Sequence, residues 1–239
     1  MFFADIHTHI LWGVDDGAES ADKMYQMLDA AYAAGTRVLW LTPHYHPGYF
    51  GENREKSEEI FEQLLSCPDR YPQMELYLAN ELRWSPNCDE WLDLGLCRSL
   101  DDAGSVLVDF SETETRTRII SGLEQMLSAG YRPILAHVER YRHLRNRWRD
   151  LARLKDQGVR FQITAGALSG GFGVKICWCA RALIGRDLTD FVASDAHDMD
   201  HRPPEMCGAY QWICRKKGAE YAKALCYDNA LTLLRKRKE

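Results

Sequence analysis

Three stretches of this chain repeat one pattern, and the pattern leaves few folds open. "DAAYAAGTRVLWLTPH", "EQMLSAGYRPILAHVER" and "LKDQGVRFQITAG" each run from a helical periodicity, through a glycine, into a short β-rich apolar run and then a polar cluster. Gly35, Gly130 and Gly158 stand where a helix ends in a left-handed residue, a conformation glycine adopts without steric penalty. Upstream of Gly35, Met24, Met27, Leu28, Ala31 and Tyr32 share one face at helical spacing and read as core. "FFADIH", "MELYLANE", "SVLVDF" and "DFVASDAH" add four strand runs, making seven. Apolar runs with a helical stretch between most of them imply parallel pairing. Such alternation builds a barrel or a doubly wound sheet. In a barrel, chemistry gathers where the strands end at their C-terminal face.

The polar groups of this chain fall at those ends: His7 and His9, His44, Glu81, Asp109, His137, and Asp195 with His197. Only the sixth run, which ends in Thr164, offers no obvious ligand. Alternate side chains of a strand face the same way, so His7 and His9 form a two-toothed chelate while Thr8 points away. Asp195 and His197 repeat that spacing on the last strand. The donors are too many for one tetrahedral zinc. Mixed imidazole and carboxylate donors without thiolate suit a cluster of manganese, iron or zinc ions sharing a bridging carboxylate. Clusters of this kind activate water and clamp a phosphoryl group.

Composition removes other classes. The chain of 239 residues, 46% of them hydrophobic, reads as a single domain spanning 1–239, since no linker or low-complexity run divides it. No apolar run approaches the ~20 residues that span a bilayer, and no signal peptide is evident, so a cytoplasmic protein without membrane insertion is expected. A net charge of −5 argues against nucleic-acid binding, and the basic ending Arg235 to Lys238 reads as a solvated tail. The eight cysteines are scattered as reduced thiols, with Cys177 and Cys179 packing on either side of Trp178. None has an arginine six positions on, as a cysteine-based phosphatase requires, and there is no GxSxG elbow or GxxxxGK[ST] loop. Phosphatase chemistry here would therefore run through metal.

Arg140 and Arg202 lie close to His137 and His197 in "AHVERYR" and "HDMDHRPPE". A planar guanidinium meets phosphate oxygens with two parallel hydrogen bonds, so both are candidate phosphate binders. Their plainer role is to pair with Glu139 or Glu205 at the rim. Arg142, Arg145, Arg147 and Arg149 read as a solvated helix face rather than a peptide-attracting patch.

"DIHTHI…DDGA", "TPH", "NELRW", "AHVERYR", "QITAGALSGGFG" and "ASDAHDMDHRPP", spread from Asp5 to Pro204, resemble in order the motifs of the polymerase and histidinol phosphatase (PHP) superfamily. Within it they are most similar to the bacterial CpsB/CapC group of manganese-dependent tyrosine-protein phosphatases. The HxH and final DxH are shared across the superfamily, whereas the DDGA, AHxERY, AGxLxGxFG and RPP elements are much more specific to that group.

The resemblance implies a distorted (β/α)7 barrel of the PHP type, with three metal ions at the C-terminal ends of its strands. Manganese is the expected metal, with iron or zinc fitting some sites. His7, His9, Glu81 and Asp195 would hold the first ion; Glu81 would bridge to a second, completed by Asp109 and His137. Asp16, His44 and His197 would hold the third, with Asp15 the alternative to Asp16 and the other aspartate bonded to the loop. His46 and His201 match no ligand position and read as rim residues, and His143 as surface. Asp109 stands where the family usually carries glutamate, "AHVERY" has valine where proline or isoleucine is common, and "QITAG" has threonine for asparagine. The implied activity is hydrolysis of phosphotyrosine, with the tyrosine-rich tail of a bacterial kinase controlling capsule or exopolysaccharide export as substrate. The alternatives are a PHP phosphoesterase acting on histidinol phosphate or a nucleotide, and a non-catalytic interaction domain that keeps its metals for structure.

Overall fold

The structure is a computed structural model and describes residues 1–50 and 53–234. The basic ending from Arg235 to Lys238 lies outside the described residues. Among the described residues nine strands follow one another: β1 (Phe3–Asp5), β2 (Thr36–Leu41), β3 (His44–Tyr45), β4 (Glu75–Leu78), β5 (Glu81–Arg83), β6 (Ser105–Asp109), β7 (Arg132–Leu135), β8 (Arg160–Thr164) and β9 (Phe191–Ala193). Every pairing is parallel, in the orders β1-β2-β4 and β3-β5-β6-β7-β8-β9. The result is a mixed α/β fold around a curled parallel sheet.

Nine strands come from seven runs because two runs break. Thr42 and Pro43 separate β2 from β3, and Ala79 and Asn80 separate β4 from β5. The two breaks lie side by side. Asn80 Nδ2 donates to the Pro43 carbonyl at 3.0 Å, and the Ala79 N–H to that of Leu41 at 3.0 Å. Beyond its ladder, the first run meets the last. Thr8 forms a parallel bridge with Ala196, and the Asp195 N–H donates to the His7 carbonyl at 2.9 Å. Buried Asp5 assists by accepting the Ser194 N–H at 3.0 Å.

Alternation along the strands sorts side chains between the inner and outer faces. On β2, Leu39 and Leu41 pack outward on Met24, Met27 and Leu28 of the helix Ala21–Ala34. Val38 and Trp40 turn the other way, into a cluster with Ala4, Ile6, Leu107, Ile134 and Phe191. On β8, Phe161 and Ile163 join the helices, leaving Gln162 and Thr164 on the opposite face. Ala230 and Leu233, near the end of the chain, complete the inner cluster. The glycines behave as expected: Gly35, Gly130 and Gly158 follow helices at φ of 101°, 91° and 107°. Cys177 and Cys179 are buried in the helix Val174–Gly185, with Trp178 between them facing out.

The arginine run is not a helix face. Only Arg149 lies in the helix Trp148–Asp156; Arg142, Arg145 and Arg147 precede it. Arg145 is half-buried and braces the carbonyls of Glu139 and Arg140 at 3.4 and 3.1 Å.

Candidate metal centre

At and just beyond the C-terminal ends of the strands the chain turns its polar side chains toward one point. Three adjoining donor groups form there, the first two sharing His9, each with ligating atoms within 4.8 Å of one another: His9, Asp16, His44 and His197; His7, His9 and Asp195; Glu81, Asp109 and His137. Glu81 sits between the groups. Its Oε2 lies 3.3 Å from both His7 Nε2 and His9 Nε2 and 2.8 Å from His44 Nδ1, while Oε1 lies 2.9 Å from His137 Nε2. All these donors are buried except Asp16 and, in part, His44.

Two of the donors stand on unusual backbone. His137 has φ 32° and Asp195 φ 55°, in the left-handed region that side chains with a Cβ adopt at a cost. Asp195 and His197 therefore do not converge through strand alternation, because β9 ends at Ala193 and the chain bends between them. His7 and His9 likewise lie past the end of β1, yet their Nε2 atoms come within 3.1 Å. The loop behind them folds tightly. A Cβ on Gly17 would sit 1.9 Å from the His9 carbonyl oxygen, so the DDGA turn requires glycine there.

The donor set fits metal ions better than it fits itself. His9 Nδ1 donates to Asp15 at 2.7 Å, which leaves His9 Nε2 a bare lone pair facing His7 Nε2. A cation, proton or metal, must relieve that contact. Without metal, burial works against a proton on His7, but Glu81 and Asp195 more than reverse it and hold the group up at about 9. Desolvation and the facing Glu81 carboxylate push Asp109 up to about 8. Burial, with help from Arg140, lowers His137 to about 4 despite Glu81, so its imidazole is neutral and ready to coordinate. Asp109 Oδ1 and His137 Nδ1 find no hydrogen-bond partner among the described residues.

Above the donors opens a cavity of about 310 Å³ lined by Arg83, Arg140 and Arg202 together with Asp16, Glu81, Asp109, Glu112 and Asp195. Arg140 Nη2 donates to Asp195 Oδ2 at 2.6 Å, and its guanidinium lies 4.3 Å over the Phe172 ring. Arg202 approaches Asp16 and Asp195 at 3.9 Å. Neither arginine is paired with its neighbouring acid: Glu139 accepts the Thr164 N–H and Glu205 the Gly208 N–H. Five carboxyl groups face three guanidiniums across this cavity, so cations bound by the donors would add to its hold on a phosphate dianion.

Residues 3–235 match the family described as capsular polysaccharide synthesis, CpsB/CapC. The chain belongs to the CpsB/CapC family. It is 34% identical to the tyrosine-protein phosphatase CpsB of Streptococcus pneumoniae, over 94% of this chain and 95% of that one. It is 30% identical to the tyrosine-protein phosphatase YwqE of Bacillus subtilis, over 97% and 91% respectively. Among solved structures it resembles one from a study of YwqE and CpsB, described as unique metal-dependent tyrosine phosphatases. The TM-score is 0.86 at 30% identity, covering 97% of this chain and 94% of that one.

The nine donors singled out in this family member's sequence all meet in one centre. The structure separates the adjacent aspartates. Asp15 is occupied by His9 Nδ1 and by the N–H groups of His44 and Gly17, whereas Asp16 faces His44 at 3.2 Å and His197 at 3.5 Å. His46 stacks on Tyr49, His201 is 89% exposed, and His143 is at the surface. Two residues at the centre were not anticipated. Arg83 lies two positions past Glu81, on the same strand face, and its Nη2 reaches Asp109 Oδ2 at 3.0 Å. Gln162, fully buried on β8, accepts from His137 and contacts His7. It lies two positions before Thr164, so strand alternation was the signal available for it.

Proposed function

We propose that this chain is a metal-dependent protein-tyrosine phosphatase with a capsule-related role, and that its centre holds three ions, manganese by preference. The observation that carries this reading is the juxtaposition of three donor groups beneath a mouth flanked by Arg140 and Arg202. In this reading the curled sheet is a distorted (β/α)7 barrel of the PHP type. His7, His9, Glu81 and Asp195 would hold one ion, Glu81, Asp109 and His137 a second, and Asp16, His44 and His197 a third. Bound there, the metals acidify water and offset phosphoryl charge. The protein's own groups do the rest. Arg140 and Arg202 orient the non-bridging oxygens through paired N–H donors, which suits the planar fork of arginine. Asp15 and the Asp195 carbonyl fix the rings of His9 and His197, at 2.7 and 2.8 Å, so that each presents Nε2 to the centre. Phe172 keeps the Arg140 guanidinium flat against the wall.

A phenolate, whose parent acid has a pKa of about 10, departs with little proton assistance, so the site needs no dedicated strong acid. The substrate in this reading is a phosphotyrosine-bearing protein, specifically the tail of a bacterial tyrosine kinase, met in the cytoplasm. No helix among the described residues is long and apolar enough to cross a membrane. Comparing turnover of a phosphotyrosyl peptide, a phosphoseryl peptide and histidinol phosphate tests the assignment. Preference for the phosphotyrosyl peptide supports it. Preference for histidinol phosphate would assign the site to a small phosphate instead.

A further inference from the structure

Gln162 lies at the centre of the site without being a candidate ligand itself. It is fully buried, and its Oε1 is 2.9 Å from the His137 N–H and 3.0 Å from His7 Nδ1. The first contact fixes which way the amide points. A backbone N–H can only donate, so the oxygen of Gln162, and not its NH2, must face His137. The second contact then fixes a proton. An oxygen facing His7 Nδ1 requires that nitrogen to carry hydrogen, so Nε2, 3.3 Å from Glu81 and Asp195, is the nitrogen left to face a metal. The same oxygen also anchors the N–H of His137, whose φ of 32° and ψ of 51° are held only with outside support.

We propose that Gln162 is a positioning residue whose single amide oxygen sets the His7 tautomer for one donor group and the His137 backbone for the other. The two rings come from different runs of the chain, β1 and β7, and Gln162 reaches both from β8. This role rests on the metal-centre reading above, but its readouts need no turnover. It separates Gln162 from a residue that merely fills space, because leucine would fill the same space without accepting a proton. Glutamate would keep an acceptor oxygen at the same distance.

The test uses metal-stripped wild type, Gln162→Leu and Gln162→Glu, each titrated with Zn²⁺, a diamagnetic probe. Affinity is followed by calorimetry and the histidine ring protons by NMR. The expected result is a slowly exchanging Nδ1–H on His7 in the wild type and in Gln162→Glu. In Gln162→Leu that signal should vanish, and Zn²⁺ affinity at the His7 and His137 groups should fall about 10–100-fold, the usual effect of removing a residue that orients a ligand. Any other pattern overturns the proposal. Equal loss in both variants would mean that the side chain serves packing, and equal retention that its oxygen is idle. A wild type that takes up no Zn²⁺ would remove the metal centre as well.

Discussion

Replacing Arg140 with lysine isolates what the guanidinium contributes beyond its charge. The positive charge beside Asp195 survives, so no buried carboxylate is stranded. What disappears is the fork. Arg140 Nη2 is engaged with Asp195, and the other N–H groups of the planar fork are what lysine lacks for a phosphate oxygen. Lysine retains one point of contact and cannot present that second donor. Losing one donor preorganised toward transition-state charge costs about 3 kcal/mol, or roughly 10²–10³ in kcat. The stacking on Phe172 is lost too, worth about 1 kcal/mol of stability. Initial rates on a phosphotyrosyl peptide, with metal content measured in parallel, should show kcat reduced by that factor and metal content unchanged. A rate close to wild type's, or a loss matched by loss of metal, would refute the reasoning.

Three further outcomes are expected. His137→Ala should abolish turnover with only a small change in Tm, because the ring serves the centre and the left-handed backbone is equally strained with either residue; kinetics and thermal unfolding read both. Asp16→Ala should also abolish turnover at unchanged stability, as the side chain is 52% exposed, whereas Asp15→Ala strands the partners of a buried carboxylate and should lower urea stability by about 2–3 kcal/mol. Without metal, His7 is raised from 6.5 to about 9, so its stabilising contribution is complete below 6.5 and is lost as pH climbs through 9. Asp109, raised to about 8, acts in the same direction, since its proton must leave a buried site. Metal-free protein should therefore lose Tm across that window, while metal affinity rises as the competing proton leaves. A flat Tm and a flat affinity across that range would contradict the electrostatics of the centre.

Much of this centre was legible because each donor follows a recognisable apolar run. His44, Glu81 and Asp109 are strand residues, and the glycine-ended helices mark where β2, β7 and β8 begin. Period-two reasoning was less apt for His7, His9, Asp195 and His197. The ladders stop before them, and the bend at Asp195 is a backbone state that residue type alone does not specify. The choice between Asp15 and Asp16 was equally closed to spacing, since adjacent carboxylates separate only once the Gly17 turn is folded. Gln162 stayed hidden because its partner His7 lies 155 positions away and an amide is not a metal-type donor. The break at Thr42–Pro43 carries a mark, a proline with no ladder N–H, whereas Ala79–Asn80 has none as strong, and the two are held by each other.

The most direct measurement is the rate of phosphotyrosyl-peptide hydrolysis by metal-stripped protein as Mn²⁺, Mg²⁺ or Zn²⁺ is returned, with bound metal counted in each sample. The account predicts no turnover without metal and recovery that follows occupancy, strongest with Mn²⁺. Full occupancy with no hydrolysis under any of the three metals would contradict it.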